Sequence, residues 1–128
     1  MQHAQAQSAR PDPRSEVVED ARPWGRFEQF THNEATTVKL ITVLPGERLS
    51  LQVHTHRDEL WVVTVGPVTA QVGEEVREAV AGERIWIPRG TTHRLGNPGA
   101  VPAQILEVAF GEFDEADIER LEDDYSRG

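Results

Sequence analysis

Between residues 38 and 110, short apolar stretches alternate with turn residues, and no helical period intervenes. Val38-Lys39-Leu40-Ile41-Thr42-Val43-Leu44 reads as a strand that stops at Pro45-Gly46. Leu49 to His54 alternates, with Leu49, Leu51 and Val53 on one face and Ser50, Gln52 and His54 on the other. Leu60 to Val65 is apolar and β-branched and ends at Gly66-Pro67. Val68 to Val72 follows, then a Gly73-Glu74-Glu75 turn and a return through Val80. Ile85-Trp86-Ile87 stops at Pro88, and Gln104 to Phe110 adds a further strand. Such strands predict an all-β antiparallel sandwich or small barrel. The period changes only at the end. Asp114 is placed to cap a helix on which Ile118, Leu121 and Tyr125 share a face, so a short C-terminal helix is expected.

Residues 1–21 are polar and aperiodic and read as a mobile N-terminal arm; Arg22-Pro23-Trp24-Gly25 then begins a single domain over residues 22–128. A length of 128 residues and a hydrophobic content of 38% suit one modest core. No apolar run is long enough to cross a membrane, and Met1 to Ser8 lacks a secretory apolar stretch, so a cytoplasmic location is expected. The absence of cysteine excludes disulfides, thiolate metal sites and cysteine catalysis. The net charge of −9 is concentrated at one end. Residues 105–128 carry nine acids against Arg120 and Arg127, a local charge of −7 that leaves −2 for the other 104 residues. With no basic stripe, nucleic acid is an unsuitable partner, whereas a few gathered arginines would still admit a small anion.

The candidate chemistry is metal binding. Gln52 and His54 leave the same face of one strand, Glu59 opens the next, and His93 follows the Pro88-Arg89-Gly90 turn. Two imidazoles, a carboxylate and an amide oxygen suit a first-row dication; zinc is expected, with manganese, cobalt and iron as alternatives. His56 shares the face of Gln52 and His54 and is expected at the strand end, near substrate or solvent, although it could replace Gln52 as a ligand.

These residues carry a resemblance. Gly46-x5-Gln52-x-His54-x4-Glu59-x6-Gly66 is similar to the first cupin motif, with Gln52 where many cupins have histidine. Gly82-x5-Pro88-x-Gly90-x2-His93-x3-Asn97 matches the second at each fixed position. Arg22-Pro23-Trp24-Gly25, Pro45 through Gln52, His54-x-His56-Arg57-x-Glu59 and Ile87 through Leu95 resemble type II mannose-6-phosphate isomerases, as does the terminal stretch from Leu106 to Tyr125. The resemblance covers about residues 22–128 and implies a double-stranded β-helix, the jelly-roll-like cupin barrel. In that family the module is often the C-terminal part of a bifunctional protein with a guanylyltransferase domain, which is not carried over here.

The resemblance implies interconversion of mannose 6-phosphate and fructose 6-phosphate through an enediol, feeding GDP-mannose and polysaccharide synthesis, with a metal polarising the carbonyl. Arg57 and His56 are the candidate catalytic side chains, and the general base is unassigned. Arg57, Arg94 and Lys39 are candidates for the substrate phosphate, and Trp24 for stacking on the sugar. One departure stands out: Leu60-Trp61 follows the motif glutamate where the family usually has histidine and tryptophan. That histidine either assists proton transfer or substrate orientation, or only packs against the strand. The competing readings are a non-catalytic cupin that binds a sugar phosphate or sugar nucleotide, and a redox cupin such as a dioxygenase. A homodimer is expected by analogy with cupins of this size.

Overall fold

The structure is a computed structural model that describes residues 18–125. It is built from eleven strands: β1 (Val18–Arg22), β2 (Gly25–Gln29), β3 (Thr36–Val43), β4 (Leu51–Val53), β5 (Arg57–Val65), β6 (Val68–Val72), β7 (Glu75–Ala79), β8 (Arg84–Ile87), β9 (His93–Gly96), β10 (Ala103–Gly111) and β11 (Glu119–Glu122). β1 and β2 form a hairpin; β3-β10-β5-β8 form a four-stranded sheet and β11-β4-β9-β6-β7 a five-stranded one. Every named pairing is antiparallel. Chain neighbours are often not sheet neighbours, as β10 between β3 and β5 shows. The all-β expectation is met, and no helix occurs among the described residues.

The apolar alternation explains both layers of packing. Trp61 and Val63 of β5 and Ile105 of β10 point between the sheets, where they join Val43, Val68, Ile85, Ile87 and Leu95 in the main core. Their strand neighbours Leu60, Val62, Leu106 and Val108 point the other way. There they form a second cluster with Phe110 and Trp86, on which Phe30 packs. Arg84 pins the hairpin end to this face through Glu28 at 2.7 Å and by lying over the Phe30 ring. A strand buried on both faces reads as an unbroken apolar run, as Leu60 to Val63 does.

Two motif glycines shape the turns that carry the site. Gly46 (φ 78°) and Gly90 (φ 79°) occupy the left-handed third position of turns closed by Glu47 N–H to Leu44 O at 3.1 Å and Thr91 N–H to Pro88 O at 3.2 Å. Gly90 N–H also donates to His54 O at 2.8 Å, tying the second motif to the first.

Two boundaries differ from expectation. The C-terminal helix is not formed; Glu119–Glu122 is a strand that pairs with β4. Asp114 does begin a turn, accepting from Ala116 N–H at its carboxylate and from Asp117 N–H at its carbonyl, but the chain then extends. Pairing satisfies the otherwise open edge of β4, a demand that three residues of helical spacing do not outweigh. Val18 to Ala21, assigned to the arm, lie in β1; the rest of the arm is outside the described residues. Among the described residues, no helix is long and apolar enough to cross a membrane.

Candidate metal centre

The barrel interior is polar where β4, β5, β9 and β10 meet. Ser50 and His54 are buried on the polar face of the β4 segment, and Gln52 lies between them. His93 opens β9 directly opposite Gln52, so both side chains lie on the same face. Glu59 comes from β5 in the facing sheet and is fully enclosed. The ligand atoms of His54, Glu59 and His93 all lie within 4.8 Å of one another. These residues line a cavity of about 200 Å³ with Gln52, Arg57, Trp61, Glu107, Lys39 and Arg120.

Hydrogen bonding fixes which atoms face inward. His54 Nδ1 lies 2.7 Å from Asp117 O, and His93 Nδ1 lies 3.1 Å from Thr91 O. A carbonyl can only accept, so each Nδ1 carries the proton and each Nε2 presents a lone pair. The two Nε2 atoms are 3.4 Å and 3.8 Å from the Glu59 oxygens. Such histidines, oriented by backbone acceptors, suit a divalent cation. Gln52 Nε2 donates to Ser50 O at 3.3 Å and Ser50 Oγ at 3.2 Å, which leaves the Oε1 atom of Gln52 as a neutral donor on the same wall. The donor set therefore fits a first-row dication, and nothing in it selects among zinc, manganese, cobalt and iron.

The surrounding charges set the protonation. Burial alone would raise the Glu59 carboxyl, but His93, His54 and Arg57 outweigh it and hold Glu59 below its usual range. Burial lowers His93 despite the attraction of Glu59, so the imidazole is held neutral. Glu107 behaves oppositely. Burial, then the charge of Glu59 and their hydrogen bond, push it up to about 8. Trp61 Nε1–H bridges the two carboxyls, at 3.2 Å from Glu59 and 3.3 Å from Glu107. The pair thus keeps one proton near neutral pH.

Of the residues expected from sequence, Gln52, His54, Glu59, His93, Arg57 and Lys39 line this cavity. Arg57 is already engaged, however: it contacts Glu59 Oε2 at 3.0 Å, His54 Nε2 at 3.1 Å and Asp114 O at 3.3 Å, and lies over the Phe113 ring. Three expected residues are elsewhere. The His56 side chain is 62% exposed, because the strand ends at Val53 and the Asp117 carboxylate holds a bend by accepting from Thr55 N–H and His56 N–H. Arg94, on the opposite face of β9 from His93, donates to Leu49 O and to Glu122. Trp24, 73% exposed, sits at the tip of the β1–β2 hairpin and does not line the cavity.

Sequence reading missed Glu107, Asp117 and Arg120. Glu107 had a signal, a carboxylate at an inward position of an apolar strand; Asp117 had none, since its partners lie more than sixty residues away. Leu60 points away from the cavity. Leu60 is 0% exposed in the outer cluster, on the face of β5 opposite Glu59 and Trp61.

The family described as mannose-6-phosphate isomerase C-terminal matches residues 12–123. Mannose-1-phosphate guanylyltransferase ManC of Salmonella typhimurium is 45% identical over 107 residues, which cover 83% of this chain and 22% of that protein. Xanthan biosynthesis protein XanB of Xanthomonas campestris pv. campestris is also 45% identical, over 83% of this chain and 23% of its own length. The chain thus spans less than a quarter of these relatives. A cupin-superfamily sugar phosphate isomerase from Silicibacter pomeroyi superposes with a TM-score of 0.55 at 23% identity, covering 71% of this chain and 69% of that one, which carries the fold alone. A family match across most of the chain, with relatives at this identity, means that the chain belongs to the mannose-6-phosphate isomerase C-terminal family of cupin domains.

Proposed function

We propose that this domain is a metal-dependent aldose–ketose isomerase that interconverts mannose 6-phosphate and fructose 6-phosphate. The observation that carries the reading is the convergence of two Nε2 lone pairs and a carboxylate beside a separate buried carboxyl, Glu107, in one small cavity. A divalent cation held by His54, Glu59 and His93, with Gln52 as a neutral fourth donor, supplies polarisation of the substrate carbonyl. Asp117 O and Thr91 O keep the two imidazoles in the tautomer that this requires. Arg57 holds Glu59 Oε2 and His54 Nε2 on the cavity side, at the same atoms that would face the ion.

Isomerisation moves one proton from C2 to C1 and a second from the C2 hydroxyl to the C1 oxygen, and a single group can carry the carbon-bound proton both ways. Glu107 is suited to that exchange: it lines the cavity, lies outside the ligand triad and is oriented by Trp61. Its carboxylate form takes the C2 proton, and its acid form returns the proton to C1. The name of XanB, a xanthan biosynthesis protein, supports a place in polysaccharide synthesis.

The test is turnover of mannose 6-phosphate before and after chelation, with Zn²⁺, Mn²⁺ and Co²⁺ added back. Activity lost with chelator and restored by metal is expected, and His93→Ala should abolish both metal retention and turnover. A folded, metal-loaded sample without turnover overturns the assignment.

A further inference from the structure

The cavity is flanked by two cations that the metal centre does not use. Gln52 and Arg120 are cross-strand partners on β4 and β11, and Gln52 is the partner of His93 on β9. Directly opposed residues in antiparallel strands share a face, so Arg120, Gln52 and His93 form one row across the cavity wall. In the facing sheet, Lys39 is the partner of Glu107, and Glu107 of Trp61, giving a second row. Both rows end in a cation, and both end strands, β3 and β11, are the outermost of their sheets. Lys39 and Arg120 line the same cavity.

The other lining cation, Arg57, is buried and has donors committed to Glu59, His54 and Asp114 O. Arg120 is exposed, and its side chain has no hydrogen-bond or ion-pair partner among the described residues. Lys39 Nζ lies over the Phe113 ring at 4.6 Å and has Glu115 as its ion-pair partner, at 3.5 Å, with that carboxylate 77% exposed. A pair this open contributes little and yields readily to a stronger anion. Two strand spacings separate Arg120 from His93 along the row, about 10 Å. An open-chain hexose phosphate has comparable length between its carbonyl end and its phosphate.

From this arrangement we infer that Lys39 and Arg120 form a phosphate clamp at the cavity mouth and select phosphorylated over unphosphorylated sugars. The inference rests on the sugar-phosphate reading above and assigns its anion to the two edge strands. Arg120 offers a planar fork of donors and Lys39 a point charge, a combination that suits a terminal phosphate ester. Of the three cations expected from sequence for this role, Lys39 keeps it, and Arg120 takes the place of Arg57 and Arg94, whose donors are engaged.

The test measures binding rather than turnover. Glucitol 6-phosphate, an open-chain phosphate without a carbonyl to isomerise, is titrated calorimetrically into the zinc-loaded protein beside unphosphorylated glucitol. Wild type should prefer the phosphate ester clearly. Arg120→Gln and Lys39→Met should each weaken glucitol 6-phosphate by about tenfold to a hundredfold. Their zinc content should stay unchanged, Arg120→Lys should recover part of the loss, and Arg77→Gln on β7 should bind as wild type. Equal affinity of wild type for both probes, or undiminished affinity in Arg120→Gln and Lys39→Met, overturns the clamp. Because no turnover is read, an active enzyme with wild-type binding in both variants removes the clamp and leaves the isomerase. Clamp-dependent binding without turnover does the reverse.

Discussion

Replacing Glu107 with Gln removes a buried carboxyl strongly perturbed by its surroundings while nearly preserving its shape. In the chelator-treated protein its carboxyl is raised from 4.5 to about 8 by burial, by Glu59 and by their hydrogen bond, against the opposing charges of Lys39 and Arg57. The folded state therefore binds this proton more tightly than the unfolded chain does. Its contribution is fully present below pH 4.5 and is lost as pH rises through about 8. At about 1.4 kcal/mol per pH unit, the loss across that window is on the order of 5 kcal/mol. For a domain with about 5–15 kcal/mol of total stability, such a slope is readily measured. His93, lowered by burial, has the opposite sign: its contribution is present above pH 6.5 and lost as pH falls. Glu59 acts in that direction only below pH 4.5. Urea unfolding of metal-free wild type and Glu107→Gln, between pH 5 and 8.5, isolates the Glu107 share as the difference between two profiles. The variant should gain on wild type steadily as pH rises. Parallel profiles would refute the placement of a protonated carboxyl in this cavity.

Two further substitutions test the support around the site. Asp117→Ala removes the acceptor of Thr55 N–H and His56 N–H, and loosens the segment whose carbonyl orients His54. Zinc affinity should fall by about tenfold to a hundredfold in a competition titration against a chromophoric chelator; unchanged affinity would show that the bend is dispensable. Leu60→His introduces the usual family residue into a fully enclosed apolar cluster. Lost leucine burial, about 1.5–3 kcal/mol, and an unpaired imidazole nitrogen, about 1–3 kcal/mol, should lower its denaturation midpoint. Turnover per folded molecule should not change, and a gain in kcat would contradict the outward direction assigned to position 60.

Much of this architecture is legible because strands alternate strictly. The apolar runs at β3, β5, β6, β8 and β10 announce themselves, and the motif spacing marks Glu59 and His93, although β5 begins at Arg57 rather than at Glu59. The same alternation, applied one residue further, separates Arg94 from His93 and Leu60 from Glu59. The charged β1–β2 hairpin carries no comparable apolar signal. β11 was hidden for a different reason. Its four residues are all exposed, and what makes them a strand is the edge of β4, which is distant in sequence. Arg120 became a cavity residue only through that pairing.

The segment from Phe113 to Asp124 is fastened at several points: Arg48 to Asp124, Arg94 to Glu122, and Asp117 to the bend beside His54. It is thus wall, brace and latch for a centre whose ligands all lie elsewhere in the chain. Linkage makes this dependence reciprocal. Whatever free energy the docked segment lends to ion binding, a bound ion returns to the docking of the segment. Ion occupancy and docking of this segment would be linked equilibria, so a change in the segment would tune ion affinity without touching a single ligand.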